Sequence, residues 1–394
     1  MNQNRPFPAP FMFAAAALLV ALPFFAATST ANAAATVTPI PKPYTSTTYN
    51  YYVSPNGSDS NPGTADMPFQ TILRASKVAL PGTTIHVAPG VYPGGFRTVM
   101  SGTESQRISY VSTVRWGAKL VPPMTSQTKA GWDNRGSYVD IVGFEIDGSV
   151  PRNGVKWTHG IYNGGSYTVI KNNRVHSVAR DIACSVSGGA GIGVDSYYRG
   201  VQSEVIGNVV HDVGRPGCRF MQGIYISTSG SAKNNIVHNI GGAAIQMWHD
   251  ANKVIVSNNT VTASLTGILV GGGDFYHTKG PNDFTNVHNN IVYDNKWGIA
   301  EQGSTGLNNT YRNNLVFQSS DADWQLRNGL THSGTISEAP QFVRYARQGQ
   351  RDFRLRSNSP AIGKGAVEFA AATDVTGKTR SKAAGIDIGA FQFK

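Results

Sequence analysis

Residues 248–250 of this chain, Trp248-His249-Asp250, place an aromatic ring, a proton carrier and a carboxylate side by side. A histidine can accept or give a proton near neutral pH, and an adjacent carboxylate can orient its imidazole or raise its basicity. Tyr225 could act as the acid, and Lys279 could neutralise a carboxylate of the substrate. The candidate catalytic residues are therefore His249, Asp250, Tyr225 and Lys279.

A second group of side chains could hold a sugar chain beside these residues. Exposed aromatic rings stack on sugar faces, and Arg199 can pair with carboxylates. The candidate substrate-binding residues are Trp248, Gln246, Asp195, Tyr197, Arg199, Asp274, Tyr276 and His277. Such a set suits uronic acids, in which a base removes the weakly acidic C5 proton once the carboxylate is neutralised. An acid then protonates either the leaving O4, which is elimination, or the opposite face of C5, which is epimerisation.

Several of these residues also have an ordinary structural interpretation. Trp248 could be a strand-end aromatic that packs under the loop after residue 271. The aspartates at 195, 250 and 274 could be turn residues, since aspartate favours turns. Both interpretations stay open at this point.

A repeated segment in the middle of the chain must position the candidate residues. Its copies are Asn172-Asn173-Arg174-Val175, Gly207-Asn208-Val209-Val210, Asn234-Asn235-Ile236-Val237, Asn258-Asn259-Thr260-Val261, Asn289-Asn290-Ile291-Val292 and Asn313-Asn314-Leu315-Val316. The second positions are 35, 27, 24, 31 and 24 residues apart. A period of this size indicates a solenoid, and the period-two alternation makes it an all-β parallel β-helix. Stacked asparagines should hydrogen-bond along a ladder, since coils lie about 4.8 Å apart.

A second strand in each unit begins with a small residue and an isoleucine. The copies are Gly160-Ile161, Gly191-Ile192, Gly223-Ile224, Ala244-Ile245, Gly267-Ile268 and Gly298-Ile299. Alternation then points Ile245 and Met247 inward. The predicted outward positions are Asp195, Tyr225, Ser227, Gln246, Trp248 and Leu269. Two insertions, residues 195–200 and 271–283, follow this strand, and insertions on one face of a solenoid commonly form its binding face.

The histidines that follow the asparagine segment form a third pattern. His176, His211 and His238 should stack in one column with Asp147 and Tyr293. Such a column is more typical of a solvated or mutually hydrogen-bonded face than of a catalytic row, because catalytic groups with perturbed pKa values sit in clefts.

The composition and the amino terminus indicate an exported protein with an acidic partner. Residues 1–33 have the pattern of a signal peptide, with Arg5, an apolar run and Ala31-Asn32-Ala33. An uncleaved anchor is the alternative. The formal net charge is +11, so we expect a secreted or periplasmic monomer that binds acidic polysaccharide, with no nucleic acid and no membrane as partner after signal removal. The predicted organisation is a signal peptide (1–33), a linker (34–49), the β-helix (50–338) and closing coils with a cap (339–394).

Cys184 and Cys218 are the two cysteines of the chain. They follow the ladder residues Asn173 and Asn208 by eleven and ten positions, so they occupy nearly equivalent loops of adjacent coils. In an oxidising compartment this placement predicts a disulfide, with two separate buried thiols as the alternative.

The amino-terminal region carries a family resemblance. Tyr51–Thr64, Pro68–Ile72 and Thr84-Ile85-His86-Val87 surround a short helical segment, Ile72 to Leu80. This stretch resembles the entry to the β-helix in the pectate lyase-like superfamily, where a capping helix covers the first coil. The segments near Ala339, Asp352, Ser359 and Asp387 resemble the closing segment of the same proteins. The resemblance implies a right-handed parallel β-helix with a short N-terminal capping helix.

Within that superfamily the chemistry differs between families. Mannuronan C5-epimerases carry Asp-Pro-His-Glu/Asp, of which His249-Asp250 match the second half while Met247-Trp248 replace Asp-Pro. Lyases of this fold generally use a lysine or arginine base, often with calcium held by acidic residues. Calcium is therefore a possible cofactor, although the sequence has no dense aspartate cluster and its metal ligands are unknown.

We expect a carbohydrate-active enzyme that acts on a uronate-containing polysaccharide, foremost as a lyase by β-elimination. A C5-epimerase or a glycoside hydrolase is the alternative within enzymes. A non-catalytic polysaccharide-binding or structural protein is the alternative outside them.

Overall fold

A computed structural model describes residues 48–149, 154–184, 188–383 and 385–393. Residues 46–394 form one compact unit. The predicted signal peptide and all but the last two positions of the predicted linker lie outside the described residues. Within the described part, helices are too short or too polar to cross a bilayer.

The chain winds through three parallel sheets of eleven, nine and nine strands, here called sheets 1, 2 and 3. Sheet 1 contains Tyr49–Val53, Thr83–Val87, Ile108–Ser112, Val139–Val142, Val169–Lys171, Ser203–Ile206, Gly230–Lys233, Ile255–Ser257, Asn286–His288, Thr310–Arg312 and His332–Ser333. Sheet 2 contains Gly90–Pro93, Ala118–Val121, Glu145–Asp147, Arg174–His176, Val209–Val213, Ile236–Ile240, Thr260–Thr262, Ile291–Tyr293 and Leu315–Phe317. Sheet 3 contains Phe96–Thr98, Ala130–Asn134, His159–Asn163, Gly189–Val194, Met221–Ile226, Ala243–Met247, Thr266–Gly272, Trp297–Gly303 and Ala322–Gln325.

Each turn of the chain adds one strand to each sheet, so strands paired within a sheet are one turn apart in sequence. This arrangement confirms the predicted right-handed parallel β-helix, since crossovers between parallel strands are right-handed. The alternating inward residues form a continuous core, with Ile161, Ile192, Ile224, Ile245 and Ile268 stacked in register and fully buried.

The second asparagine of each repeat forms the predicted ladder inside the turn between sheets 1 and 2. The backbone N–H and the side-chain Nδ2 of Asn235 both donate to Oδ1 of Asn259, at 2.9 and 3.0 Å. Asn259 donates in the same way to Asn290. Nδ2 of Asn259 also donates to the carbonyl of Ala232. These buried amides therefore satisfy backbone groups that strand pairing does not reach.

The first asparagine of the pair has a separate role. Asn234, Asn258, Asn289 and Asn313 adopt left-handed backbone angles, with φ between 52° and 58°. Each side-chain amide donates to a backbone carbonyl of the carboxyl-terminal segment, at Thr373, Asp387, Ala366 and Lys364 respectively. The dipeptide therefore binds the core with one residue and the carboxyl-terminal segment with the other.

The carboxyl-terminal segment thus packs along the side of the coils, whereas the sequence predicts further coils and a cap. It begins with an antiparallel pair, Phe342–Arg344 and Asp352–Leu355. Its apolar side chains, including Phe353 and Ile388, pack against Ile236, Ile291 and Leu315 on the outer face of sheet 2. This stripe of isoleucine and leucine is apolar because the segment covers it.

The α-helix Ile72–Val78 lies at the amino-terminal end, as predicted. The Thr71 hydroxyl caps it by accepting from the backbone N–H of Arg74 at 3.0 Å. Its buried residues Ile72 and Ala75 join the core of the first coils. The helix therefore covers an apolar end of the solenoid.

The predicted disulfide is wrong in this structure. Cys184 is exposed, Cys218 is buried, and both are free thiols that are not at disulfide distance. The Cys184 thiol nevertheless contacts that of Cys218, which together with burial raises the pKa of Cys218 to about 11, burial being the larger cause. Equivalent positions in adjacent coils made the cysteines neighbours but did not fix the geometry of a bond.

The histidine column forms as predicted on the face of sheet 2. His176 stacks on His211 and His211 on His238, each pair with ring centroids 5.0 Å apart. Asp147 pairs in register with His176 at one end. His238 packs against Phe353 of the carboxyl-terminal segment, and burial is the main reason that its pKa falls to about 3.

Candidate active site

One outward row of sheet 3 contains a glycine between two tyrosines. Tyr162, Gly193, Tyr225 and Gln246 are partners in register on four successive strands. Because parallel strands lie about 4.8 Å apart, the strands of the two tyrosines lie about 10 Å apart on either side of Gly193. The ring of His159 lies against Gly193, 3.2 Å from where a Cβ would be. A cavity of about 540 Å³ opens beside these residues. The predicted residues that line it are Asp195, Tyr225, Gln246, Trp248, His249, Asp274 and Tyr276.

His249 lies at the rim of this cavity because the predicted register of its strand is correct. Ile245 and Met247 are fully buried, and Gln246 is half-buried on the outer face. The strand ends at Met247, and the chain turns with His249 in a left-handed conformation, φ 48°. Aspartate, asparagine and histidine accept this conformation more readily than other residues with a Cβ.

The imidazole of His249 is held by the loop at 274–276. Its Nδ1 lies 2.8 Å from the backbone carbonyl of Asp274, and its Nε2 lies 2.8 Å from the hydroxyl of Tyr276. A carbonyl only accepts hydrogen bonds, so Nδ1 carries the proton and Nε2 offers its lone pair to the Tyr276 hydroxyl. The two rings also stack, with centroids 4.0 Å apart. This geometry joins a fixed base to a phenol that can give it a proton.

Asp250 does not orient this imidazole, contrary to the sequence-based expectation. Its carboxylate accepts the backbone N–H groups of His277 and Thr278 and the Thr278 hydroxyl, at 2.8–3.1 Å. Burial opposes ionisation, but these hydrogen bonds prevail and lower the pKa of Asp250. Asp250 is therefore a turn residue that anchors the loop carrying Tyr276.

Trp248 packs under the inserted loop, as the structural alternative proposed. Its ring lies where a Cβ on Gly271 or Gly273 would be, within 2.9 Å of either position. Its Nε1 donates to the Asp274 carboxylate at 3.3 Å. Trp248 thus supports the loop and leaves only part of the ring at the cavity wall. Two other predicted outward residues, Ser227 and Leu269, are buried.

Asp195 also lines the cavity and lies in a network of donors. It accepts hydrogen bonds from the Tyr162 hydroxyl at 3.0 Å, the Ser227 hydroxyl at 3.0 Å and the backbone of Tyr197 at 2.9 Å. Burial, and then the charge of Asp195, raise the pKa of both Tyr162 and Tyr225. Both phenols therefore stay protonated at neutral pH and can give a proton.

The ring of Tyr225 lies beside His249, with centroids 6.1 Å apart in an edge-to-face arrangement. The predicted proximity of these two residues, one coil apart, is thus confirmed. Tyr197 packs edge-on against Tyr276 at 5.5 Å and stabilises the loop from outside the cavity.

His159 and Tyr162 line the cavity and were missed from the sequence. Nδ1 of His159 lies 3.1 Å from the Thr158 hydroxyl. Its ring is the nearest side chain to a Cβ placed on Gly193, at 3.2 Å. Burial lowers the pKa of His159 to about 4, so the ring is neutral at pH 7. Gly160-Ile161 is already a copy of the repeat, and reading the outward positions of that copy is the signal that identifies this pair.

The cation of the cavity is not one of those predicted. Arg219, on the segment after Cys218, lines the cavity. Arg199, Asp250 and His277 line a separate groove on sheet 1, and Lys279 is exposed in the inserted loop and borders neither space among the described residues. The predicted site therefore divides into two surfaces.

A calcium site is not supported by the acidic groups that the described residues bring together. Glu145, Asp147 and His176 have ligand atoms close enough to share an ion. They lie on sheet 2, away from the cavity lining, and Nζ of Lys119 lies 2.6 Å from Asp147 and 3.7 Å from Glu145. A lysine already compensates this group, so it does not fit a divalent cation.

Comparison with known proteins agrees with the fold. The model of the right-handed β-helix region of Pel9A-like proteins matches residues 51–199, and a model of a right-handed β-helix region matches residues 159–335. The uncharacterized protein YwoF of Bacillus subtilis (strain 168) is 44% identical over 59 residues, which are 15% of this chain and 13% of that protein. This chain thus matches a small part of that relative.

Solved structures match over much longer stretches at low identity. Pectate lyase Pel9A has a TM-score of 0.59 at 16% identity, covering 88% of this chain and 97% of that one. A rhamnogalacturonan lyase has a TM-score of 0.50 at 16% identity, covering 75% and 91%. A glycoside hydrolase has a TM-score of 0.52 at 10% identity, covering 70% and 89%. At these identities the likeness shows the fold alone.

Proposed function

Because this chain belongs to the pectate lyase-like superfamily of right-handed parallel β-helix proteins, we propose that it is an exported enzyme that cleaves an acidic, uronate-containing polysaccharide by β-elimination. The observation that carries the proposal is the hydrogen bond between His249 and Tyr276 at the rim of the cavity. Because a pectate lyase and a rhamnogalacturonan lyase are among the similar structures, pectate and rhamnogalacturonan are the substrates to test first.

One sugar ring would bind in the cavity that Tyr162, His159 and Tyr225 line beside Gly193. Two strand spacings, about 10 Å, separate the strands that carry Tyr162 and Tyr225, and both aromatic side chains border the cavity. Aromatic rings on either side of a gap suit a pyranose, whose faces are apolar and whose edges are polar. The ring between them would place its C5 proton near the rim that carries His249.

The base in this reaction is the pair formed by His249 and Tyr276. Tyr276 passes its proton to Nε2 of His249 as its oxygen takes the C5 proton of the uronate. The C4–C5 double bond forms and the C4–O4 bond breaks. The Asp274 carbonyl accepts from Nδ1 and stabilises the resulting imidazolium.

The remaining steps fall to Tyr225 and Arg219. Tyr225 stays protonated because burial raises its pKa, so it can give its proton to the departing O4. Arg219 lines the same cavity and can pair with the uronate carboxylate, which makes the C5 proton removable. This role replaces the one that the sequence suggested for Lys279 and Arg199.

The test is a screen of polygalacturonate, rhamnogalacturonan and alginate with two readouts. β-Elimination gives an unsaturated uronate at the new non-reducing end, which absorbs in the ultraviolet, together with one new reducing end. We expect both signals to rise in equal amounts. Reducing ends without absorbance would identify a hydrolase, and a changed uronate configuration without cleavage would identify an epimerase. Binding without any product would overturn the enzymatic proposal.

A glycoside hydrolase is the second candidate because two carboxylates, Asp195 and Asp274, line the same cavity. Hydrolases of glycosidic bonds generally use one carboxylic acid as the proton donor and one as the nucleophile or base. Asp195, however, already accepts hydrogen bonds from three donors of the protein, so its oxygens are less available to a glycosidic bond.

A further inference from the structure

The inserted loops separate two recesses and present neighbouring residues to each. Asp195, His249 and Tyr276 line the cavity described above, whereas Ser196, Asp250 and His277, each the next residue in the chain, line a groove on sheet 1. The loops are bound to one another, since Nε2 of His277 lies 3.2 Å from the carbonyl of Tyr197. They therefore form a shared wall with one recess on each side.

The groove is larger than the cavity, about 800 Å³, and its floor is the outer face of sheet 1. Val169, Glu204, Ser231 and Ile255 lie in register along this floor, on four successive strands. The groove thus runs across the strands and parallel to the axis of the solenoid, which is the direction in which a chain-like ligand would follow it. We call it the basic groove, after Arg199, Lys233 and Lys253 in its lining.

These three cations have no compensating partner in the described part of the chain. None of their side chains takes part in an ion pair or a hydrogen bond among the described residues. Arg107 at the border of the groove differs, because its guanidinium lies 2.6 Å from Asp140. The acids of the groove do not offset the charge, since Asp250 is bound by loop backbone N–H groups and Glu204 accepts from the Ser231 hydroxyl at 3.3 Å.

The two lysines lie at opposite edges of the groove floor. Lys233 ends one strand of sheet 1 and pairs in register with Ser257 of the next strand, four residues after Lys253. A strand rises about 3.3 Å per residue, so the lysines lie about 13 Å apart along the strand direction and on both flanks of a ligand that follows the groove. Gln202, Ser229 and Asn252 also line the groove and supply hydroxyl and amide partners for sugar hydroxyls.

We propose that the basic groove is a second binding site for acidic polysaccharide, separate from the cavity and without a catalytic role. It would hold the enzyme on a polymer while the cavity acts on it. The choice of an acidic glycan rests on the function proposed above, whereas the presence of the site rests on the uncompensated cations.

The test measures binding directly and needs no turnover. The variant protein Lys233→Ser/Lys253→Ser is made in a His249→Ala background, so that polymer is not degraded during the measurement. We expect its affinity for polygalacturonate or alginate to fall at least tenfold at low ionic strength, with a smaller salt dependence than the parent. In the otherwise wild-type protein the same pair should leave turnover of a short oligosaccharide unchanged.

A matched control removes two exposed lysines outside the groove, Lys77→Ser/Lys364→Ser. Equal losses in the two double variants would overturn the proposal, because net charge alone would then explain binding. The proposal would also be overturned if the parent protein bound single-stranded DNA as tightly as the glycan and the groove variant lost that binding too. The groove would then be a site for any polyanion. If no polymer is cleaved but binding falls only in the groove variant, the cavity chemistry fails and the groove stands.

Discussion

The hydroxyl of Tyr276 lies 2.8 Å from Nε2 of His249, while the carbonyl of Asp274 binds the other nitrogen of the same ring. The loop at 274–276 thus sets both the tautomer of the histidine and the direction of its lone pair. A phenol in this position is the natural path for a proton between substrate and imidazole.

Replacing His249 by alanine should lower turnover of the identified substrate by about 10²–10⁴-fold, the usual contribution of a general base. His249 is at the rim and outside the core, so the thermal midpoint should change little. Steady-state kinetics and a thermal melt measure the two effects. His332→Ala, at an exposed histidine outside the cavity, is the control and should retain full activity. A His249→Ala protein with near-wild-type turnover would move the chemistry elsewhere.

Tyr276→Phe removes the hydroxyl and keeps the ring that stacks on His249. We expect kcat to fall by about 10²-fold or more with little change in KM, because the proton relay is lost while the aromatic surface stays. Tyr225→Phe should show the same pattern through loss of the acid. If Tyr276→Phe raises KM and leaves kcat unchanged, Tyr276 positions the sugar and does not carry the proton.

The two asparagines of one repeat should differ in their contribution to stability. Asn259→Ala removes the side-chain hydrogen bonds to Asn235, Asn290 and the Ala232 carbonyl inside the core, and should cost about 3 kcal/mol because buried partners are left unpaired. Asn258→Gly keeps the left-handed backbone and loses only contacts to the carboxyl-terminal segment, so about 1 kcal/mol is expected. Denaturant midpoints compare the pair. Equal shifts of the denaturant midpoint in the two variants would show that the asparagine ladder contributes no more to stability than the contacts of the first asparagine.

Acidification should destabilise the protein through its buried histidines. Burial lowers the pKa of His238 to about 3 from an ordinary 6.5. The folded state therefore binds no proton between these values while the unfolded state does, so stability is full above pH 6.5 and falls as the pH decreases toward 3. The loss per group is about 1.4 kcal/mol per pH unit, or about 2 kcal/mol between pH 6.5 and 5.

Replacing His238 by phenylalanine, which preserves a ring against Phe353, should reduce the pH dependence by that amount. Urea unfolding at pH 7 and pH 5 measures it. A His332→Ala protein, whose free energy of unfolding should depend on pH as in the wild type, serves as the reference. An equally steep pH dependence in the His238 variant would contradict the expectation.

The cysteines should react at different rates. Cys184 is exposed and free, whereas Cys218 is buried with its pKa raised to about 11. A thiol reagent should label Cys184 in the folded protein and reach Cys218 only after unfolding, since the thiolate is the reactive form. Peptide mapping of unreduced protein counts the sites. Labelling of both cysteines after denaturation would agree with the structure. Labelling of neither would show that the two form a disulfide.

The repeat made most of the fold predictable. Asn-Asn pairs and Gly-Ile pairs repeat because each coil meets the same neighbours above and below, so one register places every inward residue, Ile245 and Met247 included. The carboxyl-terminal segment breaks this logic. Its contacts are with turns up to 146 residues earlier, and no local period encodes where such a segment will lie.

The candidate site was predictable where it depended on the coil register and not where it depended on loops. Tyr225, Gln246 and His249 follow from the strand pattern, and so would Tyr162 had the outward positions of the Gly160-Ile161 copy been read. The partners of His249 come from an inserted loop whose path is set by Asp250 and by Trp248 packing on glycines. Spacing along the chain contains no information on that path, which is why Arg199 and Lys279 were predicted at the cavity, although Arg199 lines the groove on sheet 1 and Lys279 borders neither space among the described residues.

The carboxyl-terminal segment has a consequence for how the solenoid opens. In a simple stack each repeat touches only its neighbours, so the end coils can fray one at a time. Here one strip of chain is fastened to the turns at Asn234, Asn258, Asn289 and Asn313. A late coil cannot detach without also releasing that strip from earlier ones, so the last four repeats should melt as one cooperative unit.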